Sequence, residues 1–245
     1  MKQPLNGPAD HFGEASGSQV LRKWGRQLFS NELIFDLGAW FYTAMTTNPI
    51  WLGNSARLLE GADSHNAPNL VLDLGAGPAT SALAMGKERP AARFIAFDLA
   101  GQMLDLAERN RQAAGWPASR LALLRGNALQ LPLASASVDT VTAHSFLYLV
   151  TNPTLVLGEA FRVLRPGGRI ALLEPHAGEL TWSWLWQQRN FGLQLSLPLW
   201  RVYSWLHRRY TPDSLAESLR NAGFTAVTTE VTLGGFGIFG RGQKP

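Results

Sequence analysis

Five short runs rich in apolar and β-branched residues mark the middle of the chain: "LVLDLG" (70–75), "RFIAFDLA" (93–100), "LALLRGNA" (121–128), "SVDTVTAHSF" (137–146) and "RIALLEP" (169–175). The first is too apolar to be half-exposed, so it reads as a strand of a sheet covered on both faces. Between the runs lie amphipathic stretches of helical period. "ATSALAMGKE" (79–88) is one and "GQMLDLAERNRQAAG" (101–115) another, with Met103, Leu104 and Ala107 on one face; "PTLVLGEAFRVL" (153–164) is the third. "RPGG" (165–168) predicts a turn before the fifth strand. Strand and helix alternating in this way predict βαβ units on a parallel sheet.

The flanks have a different pattern. Residues 20–59 are helical in period and crowded with Leu33, Ile34, Phe35, Leu37, Trp40, Phe41 and Tyr42, until "TTNP" (46–49) stops the helix. After residue 178 comes a tryptophan-rich stretch. "YTPDSLAESLRNAGF" (210–224) then reads as a helix with Thr211 as N-cap, Pro212 at the first position and Gly223 past the end, followed by a hairpin-like pair of strands. The expected organisation is one domain: a loose arm at 1–18, a helical cover at 19–60, a central core at 69–176, an aromatic insertion at 178–210 and a C-terminal helix with strands at 211–245.

Composition narrows the classes. A chain of 245 residues buries a full core without staples, and the absence of cysteine removes disulfides, thiolate metal sites and cysteine nucleophiles. The polar start, with Asp10 and Glu14, does not read as a signal peptide, which makes the cytoplasm the expected compartment. Net charge is +4 with no run of five basic residues, which argues against nucleic acid as a partner. The tryptophan-rich stretch is broken by Gln187, Gln188, Arg189, Asn190, Gln194 and Arg201, well short of the ~18 apolar residues a membrane span needs.

The chemistry concentrates in "VLDLGAGPATSALA" (71–84), a strand running into a glycine turn and then a helix. In a parallel sheet the ligand crevice lies at the carboxyl ends of the strands, where Gly75 and Gly77 let the backbone pass close to a ligand. Asp73 stands two residues before the first glycine, and Thr80 occupies the place of a dinucleotide fingerprint's third glycine. A carboxylate there repels a pyrophosphate but suits an ammonium. Asp98, 21 residues after Gly77 at the end of the next strand, is placed to accept from two ribose hydroxyls. One nucleoside with a positive group satisfies this arrangement.

The four motifs "VLDLGAGPAT", "FDLAGQML", "GNALQLPLASASVDTV" and "VLRPGGRIALLEP" resemble, in order and spacing, a class I S-adenosylmethionine-dependent methyltransferase. The ending "LGGFGIFGRGQKP" resembles that of the ubiquinone and menaquinone C-methyltransferases, although "HSFLYLV" (144–150) replaces that group's Arg-Asn pair. The resemblance implies a Rossmann-like doubly wound α/β sheet, mostly parallel with an antiparallel C-terminal strand, a helical N-terminal cover and a helical insertion after the fifth strand. It implies S-adenosylmethionine as cofactor, with Asp73, Gly75 and Gly77 around the methionine part and Asp98 on the ribose. Leu99 and Met103 would cover one adenine face and the Ala128 N–H would meet the ring. Asn127 stands where most relatives carry an acid, keeping an acceptor oxygen without the charge. Ala76, Thr80, Leu129 and the backbone of His144 complete the expected cofactor set.

Methyl transfer is an in-line displacement in which positioning supplies much of the acceleration. If the acceptor is a phenol, an activated carbon or an amine, a nearby group takes its proton, and His144, His176 and Tyr148 are candidates by their place at strand ends. A strand-capping role for His176, and a backbone-only role for His144, are the competing readings. The scattered histidines offer no metal site. Trp182, Leu185 and Trp186 share one helical face; Leu199, Val202, Tyr203 and Leu206 share another, after a helix start at Ser196 and Pro198. With Trp182, Trp186, Trp200 and Tyr203 as its lining, this insertion reads as the wall for a small hydrophobic acceptor, aromatic or lipid-like. Ordinary core, and a peripheral contact with the inner face of a membrane, are its other readings. A non-catalytic methyltransferase-like binding protein and a nicotinamide oxidoreductase remain the alternative functions, the latter disfavoured by Asp73 and Thr80. The acceptor and the oligomeric state are not legible.

Overall fold

The structure, a computed structural model, describes residues 48–60 and 70–245. The arm expected at 1–18 and most of the cover expected at 19–60 lie outside the described residues, as does Asn69.

Among the described residues the chain begins with α1 (Pro49–Ala56), whose N-cap Asn48 accepts from the Ile50 N–H and is followed by proline at the first helical position. A 3₁₀ turn (Arg57–Leu59) ends it. The core then alternates: β1 (Leu70–Leu74), α2 (Thr80–Glu88), β2 (Arg93–Asp98), α3 (Gly101–Ala113), β3 (Leu121–Arg125), β4 (Val138–His144), α4 (Pro153–Val163) and β5 (Leu164–Pro175). The C-terminal part adds α5 (Trp182–Gln187), α6 (Phe191–Leu206), α7 (Pro212–Asn221), β6 (Thr225–Thr232) and β7 (Gly237–Gln243).

The strands form one seven-stranded sheet in the order β3-β2-β1-β4-β5-β7-β6. β1 to β5 are parallel, and β7 runs antiparallel to both β5 and β6. The expected Rossmann-like α/β sheet with an antiparallel ending is therefore present. Strand order reverses between β1 and β4, which opens a crevice at their carboxyl ends.

Side chains alternate across the sheet to build two cores. Leu72, Leu74, Val141 and Leu172 join α4 (Val156, Leu157, Ala160), α6 (Leu193, Leu197, Trp200) and α7 (Leu215, Leu219) on one face. Val71, Phe94, Ala96 and Leu173 meet α2 (Ala82, Met85) and α3 (Ala107) on the other. This two-sided burial is why the strands lack a polar alternation.

Two expectations are corrected. "RPGG" does not close a separate turn: β5 runs unbroken through it as a bulge, where the register passes from Val138 opposite Leu164 to Thr140 opposite Arg169. Gly167, at φ +75°, donates to the Lys244 carbonyl, and Lys244 donates back to Gly168, so the segment stays in the sheet. Nor does α6 start at Ser196 and Pro198. Asn190 caps it, accepting from the Leu193 N–H and from the Asn48 amide at 2.7 Å, and Pro198 lies inside the helix. Leu193, Leu197 and Trp200 pack into the core on both sides of the proline and hold the helix across it. Its outward face is apolar too, with Phe191, Leu195, Leu199 and Val202 exposed. No helix among the described residues is long and apolar enough to cross a membrane.

Candidate functional site

Most of the residues expected to hold a cofactor gather along the carboxyl ends of β1, β2 and β3. Gly75 (φ +63°) and Gly77 (φ +52°) turn the chain out of β1 in the left-handed region that L side chains avoid. At Gly75 a Cβ would fall 2.1 Å from the Phe146 ring, so the aromatic side chain after β4 lies directly on the glycine backbone. The turn is clasped to β2: Ala76 N–H donates to the Phe97 carbonyl and Gly77 N–H to Asp98 Oδ2 at 2.8 Å. Asp98 Oδ1 accepts from the Ala100 N–H at 2.9 Å, so each carboxylate oxygen already has one backbone donor and keeps lone pairs for more. Leu99 is 66% exposed beside it, and Met103 sits in the first turn of α3. Asn127 follows β3 and forms an Asx turn, its Oδ1 accepting from the Leu129 N–H at 3.0 Å, with Ala128 buried behind it. α2 starts at Ala79, itself left-handed (φ +59°), without a side-chain cap. Thr80 lines a cavity of about 350 Å³ between α1, α2 and α3, with Leu52, Ala56, Leu83 and Asn110.

Asp73 is buried at the level of this turn. Thr142, its register partner on β4, donates to Oδ1 at 2.7 Å, while Oδ2 has no hydrogen-bond partner among the described residues. Burial, with a smaller contribution from the Asp98 charge, raises its pKa to about 7. A buried carboxylate with an orphaned oxygen is a strong acceptor for a cation or a donor.

On the neighbouring strand His144 is 5% exposed and central to a cluster that sequence reading missed. Its Nδ1 lies 2.9 Å from Ser55 Oγ of α1 and 3.1 Å from Ser81 Oγ of α2. Trp51 stacks on the imidazole with centroids 4.6 Å apart, and Trp200 of α6 meets Trp51 edge-on at 5.0 Å. His144 Nε2 and the indole N–H groups of Trp51 and Trp200 are buried and have no partner among the described residues. Burial lowers the His144 pKa to about 3, so the ring is neutral.

Glu174, close in sequence to His176 and fully buried on β5, holds the segment after β4. Its carboxylate accepts from three successive backbone N–H groups after β4, those of Phe146, Leu147 and Tyr148, at 3.2, 2.8 and 3.1 Å. Burial raises its pKa to about 7 against the pull of those bonds. It positions the segment carrying Phe146 and Tyr148. Its place beside Pro175 at a strand end, and its isolation in an apolar run, are what draw attention to it in the sequence.

The remaining candidates divide. Tyr148 meets Tyr203 edge-on at 6.3 Å, so these two expected residues come together, with His207 beside both. His176 lies apart from His144 in its contacts: its Nδ1 donates to the Gly235 carbonyl at 2.9 Å, and its backbone carbonyl accepts from Arg201. Trp182 is 48% exposed and packs edge-on against Phe236; Trp186 is 63% exposed. Trp200 alone of the three expected tryptophans joins the His144 cluster. Asp139, by contrast, sits at the far end of the strands, accepting from the Leu70 N–H at 2.8 Å and pairing with Arg165.

Comparison with known proteins places this geometry. Residues 72–172 match the family model described as a methyltransferase domain. A demethylmenaquinone methyltransferase of Geobacillus kaustophilus is 33% identical over 181 residues, 69% of this chain and 75% of that protein. Another, from Deinococcus radiodurans, is 38% identical over 109 residues, and there the match spans only 44% of the relative's length. Among solved structures, phosphoethanolamine N-methyltransferase 2 of Haemonchus contortus superposes with a TM-score of 0.67 at 14% identity, covering 90% of this chain and 60% of that one, a likeness of fold.

Proposed function

The chain belongs to the class I S-adenosylmethionine-dependent methyltransferases related to the ubiquinone and menaquinone C-methyltransferases, and we propose that it methylates a small hydrophobic acceptor with an aromatic or lipid-like body. The observation that carries the cofactor side of this reading is the orphaned, buried Oδ2 of Asp73 beside the glycine turn. A pyrophosphate would be repelled there, whereas an α-ammonium would supply both the missing donor and the compensating charge.

The residues present fit that cofactor. Asp73 would hold the ammonium, and the free lone pairs of Asp98 the ribose hydroxyls. Leu99 and Met103 would flank the adenine, with the Ala128 N–H on its edge. Asn127 retains acceptor capacity beyond its bond from Leu129. When bound, the cofactor supplies an electrophilic methyl group on a sulfonium. The protein's own work is to fix the glycine turn against β2, to lay Phe146 across Gly75, and to hold Tyr148 in place through Glu174. Positioning of this kind in a water-poor site is a sufficient source of rate for an in-line displacement.

A lipid-like or quinol acceptor is favoured by the aromatic walls around His144 and Tyr148, and by the name of the Geobacillus relative. Calorimetric titration with S-adenosylhomocysteine tests the reading, with micromolar binding expected; absence of binding overturns it. Binding without turnover on any phenolic or quinol acceptor would favour the non-catalytic alternative.

A further inference from the structure

We infer that His144 Nε2 accepts a hydrogen bond from the hydroxyl of a ring-borne phenol or enol on the acceptor, with Ser55 and Ser81 holding the imidazole in the tautomer that makes this possible. The inference deepens the methyl-transfer reading and rests on it.

The hydrogens of the cluster can be counted. The Trp51 carbonyl has none to give, so the bond between it and Ser55 Oγ at 3.1 Å uses the only hydrogen Ser55 has. Toward His144 Nδ1, Ser55 Oγ is therefore an acceptor, and the ring hydrogen sits on Nδ1. Ser81 donates its own hydrogen to Ser55 Oγ at 3.2 Å and turns a lone pair toward the same Nδ1–H. The opposite tautomer would leave too few hydrogens for these contacts. With three hydrogens for four contacts against two in the opposite tautomer, the two hydroxyls favour the ring in which Nε2 is bare.

Among the described residues that bare nitrogen is buried and unpartnered, in a cluster with two unpartnered indole N–H groups. One lone pair and two donors call for a ligand that carries a hydroxyl hydrogen and oxygen lone pairs together, on a body flat enough for aromatic walls. An ether or a carboxylate offers lone pairs but no hydrogen for Nε2. The register places the cluster beside the methyl donor's turn: Ala143 pairs with Leu74, so His144 stands level with Gly75, and Ser81 is in the first turn of α2.

The test uses the whole chain saturated with S-adenosylhomocysteine and compares 1-naphthol with 1-methoxynaphthalene by calorimetry. Naphthol is expected to bind at least about tenfold tighter, the value of one well-made hydrogen bond to a buried group, and His144→Phe to erase the difference. In a long-range proton–nitrogen correlation spectrum of the wild-type protein, the His144 ring, assigned as the signal lost in His144→Phe, should be protonated on Nδ1 alone, its Nε2 signal shifting when naphthol is added, whereas His176 and His207, whose Nδ1 also faces a carbonyl, should not shift. Equal affinity for the two probes, or an Nε2-protonated His144 ring, overturns the inference. Failure of S-adenosylhomocysteine to bind counts against the parent reading, whereas its binding without a preference for naphthol counts against His144 only.

Discussion

Thr142 on β4 donates to Asp73 on β1 at 2.7 Å across paired strands, satisfying one carboxylate oxygen and leaving the other buried and bare. The pair sets up an asymmetry: the apo protein holds a destabilised acid that a cationic ligand would relieve. Asp73→Asn should therefore weaken S-adenosylhomocysteine binding by about ten- to a hundredfold, the range for a charge-assisted bond, without lowering the apo melting temperature at pH 7.5. Calorimetry and thermal denaturation read the two effects separately, and an Asn variant that binds like wild type would contradict the assignment.

Apo stability should depend on pH with a definite sign. Asp73 and Glu174, both raised to about 7, keep their protons in the folded state at pH values where the unfolded chain has lost them. Their stabilisation is complete below about pH 4 and is lost as pH rises through about 7. His144, lowered to about 3, acts oppositely, because the unfolded chain takes up its proton below about 6.5. Near pH 5.5 two protons held against one leave a net of one in favour of the folded state. Stability should fall by roughly 1.4 kcal/mol per pH unit between about 5 and 6.5. Urea denaturation across that range checks it, and a rising curve would refute it.

Glu174→Gln offers one acceptor oxygen where three N–H groups need two. The Tyr148 N–H, bonded to Oε2, would face an amide NH₂. A loss of about 1–3 kcal/mol in chemical denaturation is expected, as for one buried donor left unsatisfied; an unchanged midpoint would show that the segment after β4 does not depend on this clasp.

Gly75→Ala combines a left-handed backbone with a Cβ 2.1 Å from the Phe146 ring. It should lower the melting temperature and abolish cofactor binding. Adding Phe146→Ala should recover part of the stability by removing the clash while leaving the backbone strain of about 1 kcal/mol. Additive losses in the double variant would mean that the two residues do not touch.

The tryptophan-rich stretch should divide in stability measurements as it divides in burial. Trp200→Ala, at 4% exposure, should cost about 3–5 kcal/mol. Trp186→Ser, at 63% exposure, should stay within about 0.5 kcal/mol of wild type.

What could be read from the sequence was what depends on near neighbours. The run 71–84 carries strand, glycine turn and helix within fourteen positions, and Asp98 follows at a fixed offset, so the crevice and its carboxylates could be named from spacing alone. The start of α6 escaped because Pro198 is a strong local signal, while the deciding cap, Asn190, is held by Asn48 from 142 residues away. Ser55, Ser81, His144 and Trp200 belong to four elements that converge only through the β1–β4 register and the docking of α1 and α6. No spacing encodes them. Nor does a sequence record which polar atoms end up buried and bare, and that is the property that distinguishes His144 from His176.

Trp51 and Ser55 both belong to α1, eight residues long, which reaches the sheet from outside the alternating core. If this helix opens locally, the histidine loses its stacking partner and its tautomer lock in one event, while the strands and the cofactor turn can stay folded. Exchange of the α1 backbone amides with heavy water therefore reports on the integrity of the His144 cluster. Slowing of that exchange by an acceptor analogue, beyond any slowing by the cofactor product, would register occupancy before any methyl group has moved.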